Sequence, residues 1–114
     1  MEHEERNDEI RLKILDEIAD IEAFTAGRHT SDVLVDKMCQ KAIVMSLINI
    51  GELSKAFSDN YLSTMPAIPW KAIRGFRNIA AHQYGIIDFD DVYKTVIEDI
   101  PFLKETLIKR GTAE

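Results

Sequence analysis

The sequence predicts an all-α protein, an antiparallel four-helix bundle with a short or kinked extra helix at the C-terminus. Apolar residues recur at helical spacing along most of the 114-residue chain, and no stretch shows the apolar–polar alternation of a strand. Connections between the helical stretches are short, which favours antiparallel neighbours. A chain of this length buries one core, so residues 1–114 are expected to form a single domain.

The first half of the chain contains two predicted helical regions. The first covers residues 8–26 and ends before Gly27, and its apolar stripe is made by Ile10, Ile14, Ile18 and Ile21. The second runs from Thr30 to about Asp59, and a break near residues 35–36 would divide it into a short helix and a long one. Residues 42–51 are almost entirely apolar, which is typical of a central helix with neighbours on several sides. Gly51 is costly inside a helix, so we expect another helix to approach closely there.

The second half contains a connector over residues 59–66 and two further helical regions. One helix is predicted from Pro69, at its first position, to Tyr84, with Gly85 as its C-terminal cap. Its buried face consists of Ile73, Phe76, Ile79 and Ala80. The last region follows Asp88 or Asp90 and has an apolar face formed by Val92, Val96 and Ile100. Pro101 is expected to break or kink this region, leaving a last segment to about Lys109.

The charge of the predicted Pro69–Tyr84 helix is opposite to that of the whole protein. The chain has a net charge of −6, which argues against a general nucleic-acid coat. From Asn60 to Ile87, however, the basic residues Lys71, Arg74 and Arg77 occur without any Asp or Glu. A cationic island of this kind indicates an anion site, although each arginine by itself fits a solvated helix face equally well.

His82 is the natural acid–base group of this helix. Asn78 lies one turn before His82, so the two side chains share a face. Arg77 is five residues away, about 140° round an ideal helix. Either the arginine side chain wraps round the helix, or two copies of the helix meet and each contributes part of the site. Tyr84 has a simpler alternative, with its ring on the core and its hydroxyl in water.

Other classes of site have little support in the sequence. No cluster of ligands at metal-binding spacing occurs, and no cofactor motif is present. Cys39 falls in an apolar helical pattern and is expected to be a buried thiol. The charged N-terminus does not resemble a signal peptide, and no apolar run is long enough for a membrane span, so a cytoplasmic protein is expected.

The segment Arg77-Asn78-Ile79-Ala80-Ala81-His82-Gln83-Tyr84 fits the pattern Arg-x4-His-x-Tyr. With its flanks, it resembles the HepT-like ribonuclease toxins of the HEPN superfamily. Residues 68–78 resemble the family's stretch before the motif, residues 49–52 its central helix, and residues 98–104 its C-terminal pattern. The resemblance covers most of the chain, and the flanks make it more specific than the short motif.

The resemblance implies a homodimer in which the motif helices of two protomers meet at a cleft that cleaves RNA without a metal ion. Arg77 and His82 would be catalytic, and Lys71, Arg74 and Asn78 would bind the substrate. Toxins of this type are paired with an MntA-like nucleotidyltransferase antitoxin, which in some pairs transfers AMP to the motif tyrosine, here Tyr84. Inhibition by occlusion is the alternative.

Two other functions remain open on the sequence. The chain could be a non-catalytic helical subunit that binds or positions a substrate for a nucleotidyltransferase. It could also be a plain helical interaction domain in which Arg77 and His82 are surface residues. Glu52, on the predicted central helix, is a candidate to orient an arginine across the bundle.

Overall fold

The computed structural model describes residues 2–78 and 89–112, and these residues form helices joined by turns, with no strand among them. The all-α prediction is confirmed, whereas the antiparallel four-helix arrangement stays a prediction. The described part has three long helices and three short ones. The long ones are α1 (Glu2–Thr25), α3 (Lys37–Ser54) and α6 (Phe89–Thr112), and the short ones are α2 (Thr30–Val33), α4 (Asp59–Ser63) and α5 (Trp70–Arg74). None of these helices is long and apolar enough to cross a membrane.

The core lies between α1, α3 and α6. Helix α3 packs against α1, α2 and α5, and α1 also packs against α6. The predicted isoleucine stripe of α1 is buried, and it meets side chains of α3 and α6 that are also buried: Ile43, Ile50, Leu103 and Leu107. Removal of this apolar surface from water is the main force that holds the helices together. The central position of α3 is confirmed, but its apolar character does not mean burial all round, because Met38 and Met45 are exposed.

The turn between α2 and α3 confirms the break expected near residues 35–36. Asp36 is the N-cap of α3, and its carboxylate accepts a hydrogen bond of 3.1 Å from the backbone N–H of Cys39. Arg28 forms an ion pair of 3.0 Å with the same carboxylate. Gly27 adopts a positive φ of 70° after α1, which is the left-handed conformation that glycine adopts without strain.

The predicted connector over residues 59–66 is wrong in part, because it contains helix α4. Ser58 caps this helix by accepting a hydrogen bond from the N–H of Tyr61. The buried side chain of Asn7 bonds Ser58 twice, donating to its hydroxyl and accepting from its N–H, each over 3.1 Å. The cap is therefore fixed by a residue 51 positions away in the chain, which no local pattern shows.

Of the break or kink expected at Pro101, the break is wrong, because α6 runs through this residue as one helix from Phe89 to Thr112; the kink stays a prediction. A proline inside a helix removes one backbone hydrogen bond. Here Pro101 is exposed, and the apolar residues on both sides of it remain in the core: Val96, Ile100, Leu103 and Leu107. Burial of these side chains offsets the lost hydrogen bond, so no separate C-terminal helix forms.

The predicted Pro69–Tyr84 helix is interrupted at Gly75. Helix α5 begins at Trp70 and ends at Arg74, and residues 76–78 are helical again after one turn residue. The N–H of Gly75 donates to the carbonyl oxygens of both Lys71 and Ala72, and the N–H of Asn78 donates to the carbonyl of Gly75. These tight hydrogen bonds, at a residue with low helix propensity, end the regular helix early.

Candidate functional site

The four predicted site residues that the structure describes lie on α5 and on the helical residues 76–78 that follow Gly75. Lys71, Arg77 and Asn78 are exposed, and Arg74 is half-buried. The apolar residues between them, Trp70, Ile73 and Phe76, are buried, as the helical spacing predicts for the first part of this segment. The polar side chains therefore face outward from a segment whose other side belongs to the core.

This segment is fixed to α3 by a close backbone contact at Gly51. A Cβ atom built on Gly51 would lie 2.5 Å from the carbonyl oxygen of Ile73 and 3.5 Å from the Cβ of Phe76. Only a residue without a side chain allows this approach. The expectation that another helix comes close to Gly51 is confirmed, and the approaching element is α5, which carries the site.

Aromatic side chains fix the start of α5. The indole N–H of Trp70 donates to the carbonyl oxygen of Met65 over 3.2 Å. The Trp70 ring meets Phe57 edge-on, with 5.6 Å between the ring centroids, and Phe57 in turn packs against Tyr61. Such contacts favour particular ring orientations and also bury apolar surface. The polar residues of α5 therefore follow a helix start that is well packed.

The basic side chains of the site are not neutralised by the described residues. Lys71, Arg74 and Arg77 make no ion pair within 4 Å in residues 2–78 and 89–112. The Nε atom of Arg74 is buried and has no hydrogen-bond acceptor there. A buried donor without an acceptor is costly.

Glu52 is the acidic group beside the site. Its carboxylate accepts a hydrogen bond of 2.9 Å from the ammonium of Lys55, three residues along α3. The Lys55 ammonium, and more weakly the charge of the Arg77 guanidinium, hold the pKa of the Glu52 carboxyl below its ordinary value. The hypothesis that Glu52 orients an arginine therefore has a candidate in Arg77, although the direct partner of Glu52 is Lys55.

A groove of about 470 Å³ lies between α1 and α3 beside Glu52. Its walls carry Lys13, Asp16, Glu17, Asn49, Glu52, Leu53 and Ala56. The side-chain amide of Asn49 donates to the Glu17 carboxylate across the groove, at 3.3 Å. Sequence reasoning missed this groove because its residues come from two helices whose relative register is set by packing. The described residues hold no group of three or more metal-ligating side chains.

His82 and Tyr84 lie outside the described residues, as do Ile79, Ala80 and Gly85. The structure therefore brings together Lys71, Arg74, Arg77 and Asn78 on one segment. The relation of Arg77 to His82 stays a prediction.

Comparison with known proteins shows the family of this chain. The family model for HepT-like ribonucleases matches residues 14–109. A protein of Methanocaldococcus jannaschii named "Putative RNase" is 34% identical over 92 residues, which is 81% of this chain and 84% of that protein. A "Probable ribonuclease HepT" of Thermococcus cleftensis is 39% identical over 84 residues, or 74% of this chain and 76% of the relative. No solved structure matches the chain.

The fold and these matches together show that the protein belongs to the ribonuclease class of enzymes. The chain belongs to the HepT-like ribonuclease family.

Proposed function

We propose that this protein is an endoribonuclease toxin of a type VII-like toxin–antitoxin pair and that its Arg-x4-His-x-Tyr segment carries the chemistry. The observation that supports this most directly is the set of basic side chains on α5 and on the helical residues that follow Gly75. None of them forms an ion pair within 4 Å among the described residues. Their segment packs against α3 at Gly51 and is followed by His82 in the sequence. The substrate class is RNA, whose phosphates supply the missing negative charge.

The proposed reaction needs one base, one acid and one anion-binding group. The imidazole of His82 takes the proton from a ribose 2′-hydroxyl, and the 2′-oxygen attacks the adjacent phosphorus. The bond from phosphorus to the 5′-oxygen breaks, and an imidazolium gives that oxygen its proton. The products are a 2′,3′-cyclic phosphate and a 5′-hydroxyl. The guanidinium of Arg77 stabilises the charge that gathers on the phosphoryl oxygens, and no step requires a metal ion.

Lys71, Arg74 and Asn78 are proposed to bind the RNA on either side of the cleaved bond. Arg74 is half-buried, and Lys71 and Asn78 are exposed on the same segment. Contacts of this kind to phosphate and sugar position the strand without reading its sequence.

We propose that the active form is a homodimer. On an ideal helix Arg77 and His82 point about 140° apart, so two copies of the segment would supply one site more readily than a single copy. A two-fold pairing also doubles the basic residues around one substrate, which eases binding of RNA to a protein with a net charge of −6.

The proposed partner is an MntA-like nucleotidyltransferase antitoxin that transfers AMP to Tyr84. The tyrosine follows His82 by two residues, so each added phosphodiester would place negative charge and bulk near the cleft. Like-charge repulsion would then keep RNA phosphates away.

The experiment compares RNA cleavage by the purified wild type, His82→Ala, Arg77→Ala and His29→Ala. His29 is an exposed histidine in the turn before α2, so its variant controls for loss of an imidazole elsewhere. We expect His82→Ala and Arg77→Ala each to lose about 10²–10⁴-fold in cleavage rate, the range for a general acid–base group. His29→Ala should match the wild type. Circular dichroism confirms that each variant is folded.

Cleavage by folded His82→Ala at the wild-type rate would refute the catalytic assignment. A wild type that cleaves no RNA but binds the nucleotidyltransferase would support the non-catalytic subunit instead. Intact mass after incubation with the nucleotidyltransferase and ATP tests the modification, which Tyr84→Phe should abolish.

A further inference from the structure

Glu52 pairs with one cation and interacts electrostatically with a second that belongs to a different part of the molecule. One is Lys55, on the turn that follows α3, at 2.9 Å. The other is Arg77, which follows Phe76 in the segment that packs on α3 at Gly51, the residue before Glu52. Arg77 makes no ion pair within 4 Å among the described residues, so Lys55 holds the carboxylate more closely than Arg77 does.

The charges around Glu52 determine which cation its carboxylate would pair with if the Lys55 contact were lost. The pKa of Glu52 is lowered first by the hydrogen bond from Lys55 and less by Arg77, so both cations favour the ionised carboxylate. From α1, the groove presents Lys13 together with Asp16 and Glu17. Lys13 forms its own ion pair with Glu9, at 3.5 Å, and the two acids add negative charge near Glu52. A carboxylate released from Lys55 therefore has Arg77 as its cationic neighbour on the site segment.

We propose that Lys55 is a positioning residue: it holds the Glu52 carboxylate and thereby leaves the Arg77 guanidinium available to a phosphate. This inference rests on the proposed function for its role in RNA cleavage. Without Lys55, the Glu52 carboxylate pairs with Arg77, and an RNA phosphate has to displace it. Without the charge of Glu52, Arg77 is available whether or not Lys55 is present.

The test is a double-mutant cycle on Lys55→Met, Glu52→Gln and the double variant, with kcat and KM measured on a short RNA. The Lys55→Met substitution should raise KM by about two- to five-fold, the size of effect that exposed ion pairs have. In the Glu52→Gln background the same substitution should change KM little. Lys55→Arg keeps the positive charge and should behave as the wild type. The dependence on background separates positioning from direct contact, since a lysine that binds RNA itself loses the same factor in both backgrounds.

A matched control is available on α6, where Lys109 and Glu105 form an ion pair of 2.8 Å between exposed side chains. Lys109→Met removes an equivalent surface pair far from Arg77 in the sequence and should leave KM unchanged. An equal rise for Lys55→Met and Lys109→Met would mean a general charge effect and would overturn the inference.

A second readout needs no RNA. In ¹⁵N-edited NMR spectra the Nε–Hε signal of Arg77 should shift in Lys55→Met, keep its place in Lys109→Met, and show no further shift when Lys55→Met is added to Glu52→Gln. Absence of any shift in Lys55→Met refutes the positioning role. A clear shift in a protein that cleaves no RNA refutes the proposed function and retains the Lys55–Glu52–Arg77 relation.

Discussion

Single side chains decide where several helices of this protein begin. Asp36 accepts the N–H of Cys39 at the start of α3 and pairs with Arg28. Ser58 accepts the N–H of Tyr61 at the start of α4, and the side chain of Asn7 bonds Ser58 in turn. A carboxylate or hydroxyl at such a position satisfies an N–H that has no partner inside the helix. The break near residue 36 was predictable from the sequence for this reason, whereas the Asn7 contact was not.

The Asp36 cap predicts a pH-dependent stability. The N–H of Cys39 first, and then the Arg28 guanidinium, hold the pKa of the Asp36 carboxyl below its ordinary value. Because the pKa of Asp36 is lower in the folded state than in the unfolded state, the ionised carboxylate stabilises the protein at pH values above the unfolded-state pKa of about 3.9. This contribution is lost as the pH falls through the folded-state pKa. Asp36→Asn keeps a capping oxygen but loses the charge. It should therefore be less stable than the wild type at pH 7, and the difference should shrink in acid.

Urea unfolding of the wild type and Asp36→Asn at neutral and acidic pH measures this difference. Asp32→Asn is the matched control, because Asp32 is an exposed acid of α2 four residues earlier. A gap between the wild type and Asp36→Asn that does not change with pH would show that the charge of Asp36 is not responsible.

At the scale of elements, the contact between α3 and α5 determines where the site lies. Gly51 lets the carbonyl of Ile73 approach α3, and Glu52, the next residue, comes near Arg77 as a result. Gly51 inside a predicted helix indicated a close approach, but the identity of the approaching element depends on the tertiary structure. In α6, burial of apolar side chains on both sides of Pro101 offsets the hydrogen bond that proline removes and keeps the helix continuous.

Alanine substitutions at two glycines test the importance of this contact. In Gly51→Ala the new methyl group meets a backbone oxygen at 2.5 Å, so α5 has to move, and we expect a loss of about 1–3 kcal/mol in the free energy of unfolding. Gly75→Ala is the matched control. It has a negative φ of −84°, and its Cβ would be no closer than 3.4 Å to its neighbours, so little change is expected. Equal stabilities of the two variants would contradict the close contact.

At the scale of the whole molecule, one exposed side of α3 carries two methionines. Met38 and Met45 lie seven residues apart on this helix, and Glu52 is seven residues further, so the three share one side. The face thus leads from exposed methionines to the neighbourhood of Arg77. A two-fold pairing on this face with its axis near Glu52 would bring the basic segments of the two copies together, as the proposed homodimer requires.

Substitutions on exposed apolar residues test this arrangement. Met45→Asp places a charge on the face and should convert the dimer to a monomer with reduced RNA cleavage. Ile97→Asp is the matched control, because Ile97 on α6 is 53% exposed and Met45 is 56% exposed. Multi-angle light scattering of each purified variant gives the mass. Dimers in both variants would place the contact elsewhere, and a monomeric wild type would refute the homodimer.

The sequence by itself determined the helical class, the apolar stripes of α1 and α6, the break before α3 and the basic character of the segment before His82. These features depend on neighbours along the chain, whose periodicity and capping can be read locally. Tertiary structure decided the continuity of α6 through Pro101, the exposure of Met38 and Met45 on α3 and the approach of α5 to Gly51. Each of these depends on which surfaces meet, because burial against a distant element outweighs the local preference of one or two residues.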